Sequence, residues 1–260
     1  MTTDRTQQRA LSVARKLAEE MAAGGARAVY LTGSWARGDA HSESDLDIRV
    51  IGPESPKELF RSDGFLVSCE WQDEQQHRKA LDDVEEVGSV VPGWRSAVLL
   101  HDPDGIAASI KTEAERWSWE RVEDDIDPFV AGQMTKYAEE VHSLIGNIDQ
   151  GLRTGAAIER SMIVAGLAPA LSVHLRILYE TEKELWDLVG EQMGDGWSDL
   201  QAQALGEHDE DFVTSCTAAL KLFRSAAQHT IDCADKRQRE VIDHACEIAA
   251  EAVSKLESKD

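Results

Sequence analysis

Basic residues are scarce in this chain. Lys and Arg number 27 against 49 Asp and Glu, a formal net charge of −22. Proteins hold polyanions largely through Lys and Arg on phosphates, so this acidity argues against a nucleic-acid partner. The only short basic cluster is Lys236-Arg237-Gln238-Arg239. A cationic small molecule would be drawn in instead, although acid spread along the whole chain is also what a salt-adapted cytoplasm favours. Cysteines are few: Cys69, Cys216, Cys233 and Cys246, with no Cys-x-x-Cys or zinc spacing, which reads as reduced thiols. The eight histidines show no H-E-x-x-H pattern. His41 alone lies near the motif below, and it reads as a loop residue. No run of 18 apolar residues exists; the longest apolar helical stretch, Met162 to Val173, is too short to span a bilayer. The N-terminus lacks an apolar h-region. A cytoplasmic protein with no membrane partner is expected. What is present is ordinary globular composition, 42% hydrophobic, without low-complexity segments or repeats.

Apolar periodicity predicts a helix over residues 5 to 23, with Ala10, Val13, Leu17 and Met21 on one face. Strands follow at Ala28 to Leu31, Asp45 to Ile51, Phe65 to Trp71 and Ala97 to His101. Ser55 to Phe60 reads as a helical turn, Asp73 to Val87 as a polar helix, and Val91-Pro92-Gly93 as a turn. Asp102-Pro103-Asp104-Gly105 opens a helix to about Val122. After Asp124 to Pro128 the character changes and helical periodicity runs to the end, about five helices, with Pro169 expected to kink one of them. The expected organisation is a domain of alternating strands and helices over 1–122 and a helical bundle over 123–260.

The chemistry concentrates in Gly33-Ser34-Trp35-Ala36-Arg37-Gly38 and Ser44-Asp45-Leu46-Asp47. A strand sends alternate side chains to one face, so Asp45 and Asp47 point together. Side-by-side carboxylates repel, and a hard divalent cation relieves this. Backbone amides of a glycine turn leading into a helix can hold phosphate oxygens. Ser34 adds a hydroxyl, and Arg37, one helical turn on, a charged fork. These are the parts needed to move a nucleotide: one or two magnesium ions on Asp45 and Asp47, with a triphosphate held beside them. A third carboxylate from a neighbouring strand commonly completes such a site. Glu70 is the best placed, because it interrupts an apolar strand; Asp73 and Glu74 are alternatives. Either half of the motif alone occurs by chance in so acidic a chain; the signal is their conjunction.

With these residues the chain resembles the DNA polymerase β-type nucleotidyltransferase superfamily, and in length and two-part layout the kanamycin nucleotidyltransferase type of aminoglycoside-modifying enzyme. The resemblance implies an α+β fold, a mixed sheet flanked by helices followed by a C-terminal helical bundle. It implies phosphate contacts from Gly33, Ser34 and Arg37, with Ser44 beside the acidic pair, and metal binding by Asp45, Asp47 and Glu70. It implies a general base on the first helix of the bundle, where Glu139 and Glu140 fall. The lysine that follows the base by one turn in that family is absent; Leu144 or its neighbours stand there, and the nearest lysine is Lys136. The implied activity is transfer of AMP from ATP to a hydroxyl of a small, cationic acceptor such as an antibiotic, conferring resistance, by an enzyme that pairs as a homodimer. A protein-adenylylating enzyme of the toxin–antitoxin type and a nucleotide-binding protein without turnover are the alternatives. The helix carrying His174, Arg176 and Tyr179 is also similar, with no role assigned.

Overall fold

The computed structural model describes residues 4–207 and 210–258. The chain divides into two compact units, Met1–Arg121 and Val122–Asp260. The first contains α1 (Asp4–Ala23), β1 (Ala28–Thr32), α2 (Gly33–Arg37), β2 (Leu46–Ile51), β3 (Ser55–Ser62), β4 (Phe65–Gln72), α3 (Glu74–Lys79), α4 (Val87–Ser96), β5 (Val98–His101) and α5 (Ile106–Glu115). The strands form one sheet in the order β3-β4-β2-β1-β5. β2 and β4 are parallel and the other pairs antiparallel, so the sheet is mixed.

Alternation divides the sheet into two chemically different faces. Val29, Leu31, Leu46, Ile48, Val50, Val67 and Cys69 pack against Ala10, Val13, Ala14 and Leu17 of α1. Every second residue points the other way, so Tyr30, Thr32, Asp47, Arg49, Ser68 and Glu70 share the opposite face. The apolar face anchors the sheet, and the polar face is left for chemistry.

Two local expectations are corrected. Residues 55–60 are not a helical turn: they belong to β3, an edge strand paired with β4. The missed signal is Asp63-Gly64, a two-residue hairpin loop with φ of 48° and 91°, the left-handed pair that a type I′ turn requires. The strand is polar, exposed and broken in register between Ser55 and Glu58, around Pro56 and Lys57, as befits an edge. Pro92 and Gly93 do not make a turn either; they lie inside α4. Val87, Val91 and Trp94 are buried there, and burying each stabilises by about 1.5–3 kcal/mol, together outweighing the ~3 kcal/mol cost of an interior proline.

The second unit contains α6 (Glu123–Asp149), α7 (Arg153–His174), α8 (Glu182–Met193), α9 (Asp195–Leu205), α10 (Phe212–Thr230) and α11 (Lys236–Glu257). Among the described residues that is six α-helices rather than about five. α6 begins at Glu123 and runs through Pro128. Glu123, Asp124 and Asp125 in its first turn suit the positive end of the helix dipole. A break not foreseen precedes α11, where Asp235 and Gln238 cap each other reciprocally, at 2.8 and 3.1 Å. α7 is long and apolar enough to cross a membrane by length and composition, yet half of it is buried, with Ile163, Val164, Leu167 and Leu171 inside the bundle.

α6 and α7 form an antiparallel hairpin turned at Gly151, where φ is +71°. They approach closely because Gly166 on α7 has no side chain: a Cβ there would overlap the Tyr137 ring. Tyr137 is 8% exposed and has little room to swing away. Gly166→Ala is therefore expected to destabilise the second unit by about 1–3 kcal/mol. A thermal or urea melt unchanged from wild type would show that the helices can separate freely.

Candidate active site

Asp47 faces the polar side from within β2, and Asp45 stands just before the strand begins. Antiparallel pairing sets Thr32, the last residue of β1, beside Asp47. The chain then turns into α2 at Gly33, whose φ is +70°. A Cβ on Gly33 would overlap Asp47 Oδ2 and lie 3.2 Å from Cγ. The glycine of the motif is thus demanded twice, by its backbone conformation and by the carboxylate pressed against it. Gly38 ends α2 at φ 89°, its amide donating to the Ser34 carbonyl at 2.9 Å.

The loop between α2 and β2 is pinned from below. Trp35, 1% exposed, donates from Nε1 to the Ser44 carbonyl at 3.2 Å and accepts at its own carbonyl from Gln7 Nε2 at 2.7 Å. Ser44 Oγ accepts from the His41 amide at 3.0 Å, and His41 Nδ1 accepts from the Glu43 amide at 3.1 Å. Ser44 and His41 therefore shape the loop that delivers Asp45. Arg37 is held by Asp39, Nε to Oδ2 at 3.2 Å.

Asp47 is electrostatically stressed. Burial raises its carboxyl above the ordinary value and Asp45 raises it further, against the opposing pull of Arg49, Lys57 and Arg37. Two carboxylates so arranged suit one hard cation. The third expected ligand is placed differently. The parallel ladder sets Ser68, not Glu70, beside Asp47, and sets Glu70 beside Arg49. Glu70 is engaged there by Arg49 Nε at 3.6 Å and by Gln72 Nε2 at 3.1 Å. Among the described residues no group of three or more His, Cys, Asp or Glu is arranged to hold a metal ion. Asp45 and Asp47 lie close enough to act on each other electrostatically, whereas among the described residues the three-carboxylate set is not assembled. Asp73 caps α3 by accepting from the Gln76 amide, and Glu74 pairs with Arg27 and Arg78, so neither alternative replaces Glu70.

Further along the same face lies a polar cavity of about 350 Å³, lined by Thr32, Arg49, Glu70, Gln72, His77 and Trp94 among others. Sequence reasoning missed most of these residues. Arg49 alone carried a readable signal, two residues after Asp47 in the same alternation. His77 is 4% exposed; its Nδ1 lies 3.4 Å from the Tyr30 hydroxyl. Tyr30 stacks on Trp94 with ring centroids 4.2 Å apart. Burial pulls the His77 imidazole below its ordinary value. In the unfolded chain it takes a proton as pH falls through about 6.5, while in the folded chain it takes one only at lower pH. The unfolded state then binds more protons, so stability is full above that pH and declines below it. His77→Asn is expected to flatten this decline between pH 7.5 and 5.5, as read from urea midpoints; an identical slope in both proteins would refute it.

Glu139 and Glu140 lie on α6, in the second unit. Glu139 is exposed and Glu140 half-buried. Glu140 meets Glu159 of α7 carboxyl to carboxyl; that hydrogen bond first, then burial, raises its proton affinity. In the same unit His174 Nδ1 lies 3.6 Å from Cys233 Sγ. Burial, and then Asp127, push the Cys233 thiol up to about 12, so it stays protonated and is no nucleophile. Arg176 pairs with Glu123.

The first unit is thus an α+β domain whose polar sheet face carries paired carboxylates over a glycine turn. Residues 14–149 match the nucleotidyltransferase domain family, and the chain belongs to it. The match runs from α1 through α6, including Glu139 and Glu140. No curated protein matches the chain. Among solved structures, a nucleotidyltransferase-like protein from Exiguobacterium sibiricum 255-15 shares the fold, with a TM-score of 0.51 and 13% identity over 85% of this chain and 78% of its own.

Proposed function

We propose that this chain is a magnesium-dependent nucleotidyltransferase that moves AMP from ATP to a hydroxyl of a small molecule. The observation that carries the reading is Asp47, pressed against Gly33 where only a glycine leaves room, with Asp45 acting on it electrostatically. Asp45 and Asp47 would hold magnesium, which when bound neutralises phosphate oxygens as charge builds on them. Ser34 and Arg37 bind and orient the triphosphate. The acceptor oxygen attacks the α-phosphorus in line, the bond to pyrophosphate breaks, and the acceptor proton passes to a general base, the role that the resemblance gives Glu139 or Glu140; Glu159 raises the proton affinity of Glu140. The net charge of −22 favours a cationic acceptor, an amino sugar antibiotic being one such molecule.

The test incubates the full chain with magnesium, ATP and a panel of hydroxyl-bearing small molecules, cationic amino sugars among them. Pyrophosphate release and the mass gain of AMP on the acceptor are followed, and the donor is then varied over GTP, CTP and UTP. No release above the Asp47→Asn background with any acceptor would sink the reading. The lack, among the described residues, of an assembled three-carboxylate set favours one alternative, a nucleotide-binding protein without turnover. It predicts ATP binding by calorimetry with no pyrophosphate.

A further inference from the structure

Arg49 is the one cationic side chain that alternation along β2 places in line with Asp45 and Asp47. Its Nη2 lies 3.8 Å from Asp47 Oδ1 and its Nε 3.6 Å from Glu70 Oε2, so the guanidinium sits between the two carboxylates. The register makes this arrangement obligatory, because Arg49 is the direct partner of Glu70 across the parallel ladder. Gln72 holds Glu70 from the other side at 3.1 Å. The position beside Asp47 on β4, from which a third carboxylate would reach the same ion, is Ser68, whose hydroxyl is buried without a hydrogen-bond partner. A guanidinium keeps its charge at any working pH. The Arg49 and Asp47 side chains are only 22% and 25% exposed, so solvent screens that charge weakly. A divalent ion bridging Asp47 and Glu70 would compete for the space this fixed cation holds, and like charges so placed repel strongly.

We propose that Arg49 is the resident cation of this site: it takes the place of a second metal ion between Asp47 and Glu70, leaving a one-ion site on Asp45 and Asp47. The inference rests on the nucleotidyltransferase reading and deepens it. Glu70 becomes a positioning residue, which holds Arg49 and does not ligate the ion. Arg49 supplies from the protein the second positive charge that stabilises the transferring phosphate.

The test counts metal directly. Crystals of the full chain with manganese and a non-hydrolysable α,β-methylene ATP analogue are expected to show one manganese anomalous peak, at Asp45 and Asp47. Arg49→Met is expected to show two, the second between Asp47 and Glu70. In solution, Glu70→Gln keeps the shape of the side chain. It is expected to lower kcat about tenfold or more, as removal of an orienting partner does, with the metal concentration for half activity unchanged. Two peaks in the wild type would overturn the proposal, as would one peak in Arg49→Met or a tenfold rise in the metal requirement of Glu70→Gln. Each of those results leaves the nucleotidyltransferase reading intact. No manganese at Asp45 and Asp47 in any form, with no analogue bound, would instead overturn both.

Discussion

Asp47→Asn is expected to cut pyrophosphate release by about three orders of magnitude or more, because a metal held at the transferring phosphate supplies several kcal/mol of transition-state stabilisation. The substitution is isosteric and removes only the charge, so the fold survives. Its effect on stability is expected to run opposite to its effect on rate. Burial and Asp45 raise the Asp47 carboxyl above its unfolded value, so at neutral pH the ionised side chain costs the folded state free energy. With metal chelated, the Asn variant should therefore melt at or above the wild-type temperature near pH 7. A raised carboxylate imposes its full cost above the folded pKa and loses it as pH falls to the unfolded value. The advantage of the variant should shrink accordingly toward pH 4. Thermal melts in chelator at several pH values, beside the rate assay, check both halves. A variant that is inactive and markedly less stable would mean that Asp47 holds the fold.

Gly33→Ala carries the second-largest expected effect, a loss of about 10²–10³-fold in rate, comparable to the removal of one preorganised electrostatic donor from an active site. Two costs coincide at this residue. The φ of +70° is disfavoured for any side chain, and the added Cβ overlaps Asp47 Oδ2. Either the turn into α2 moves or the carboxylate does, and both displace parts of the proposed site. The rest of the sheet, anchored on α1, should be unaffected. The measurement is activity together with manganese affinity: both should fall, while the circular dichroism spectrum stays that of wild type. Full activity in this variant would refute the close approach as a functional requirement. Gly25, with φ +102° and open space around it, serves as the control; Gly25→Ala should cost about 1–2 kcal/mol of stability through backbone strain and leave the rate unchanged.

Much of the first unit was legible because its signals are local. The apolar face of α1, the paired aspartates before an apolar run, and the glycine turn ahead of them all follow from side-chain period and turn chemistry within one segment. Where the reading failed, the deciding fact lay elsewhere in space. β3 is a strand because β4 offers an edge and Asp63-Gly64 turns the chain onto it. α4 survives Pro92 because Val87, Val91 and Trp94 find a core.

By itself the sequence determined the alternation of strands and helices in the first half, the helical second half, and the glycine turn beside two carboxylates. Those depend on which residues follow which, through local backbone geometry and period. Only the tertiary structure decided that Ser68, not Glu70, stands beside Asp47, and that Arg49 lies between the two acids. Parallel strands joined through an intervening hairpin have no register written in either strand alone. Packing of Val67 and Cys69 on one core with Leu46, Ile48 and Val50 sets it. A slip along the ladder would place a different polar side chain beside Asp47, and with it a different charge beside the site.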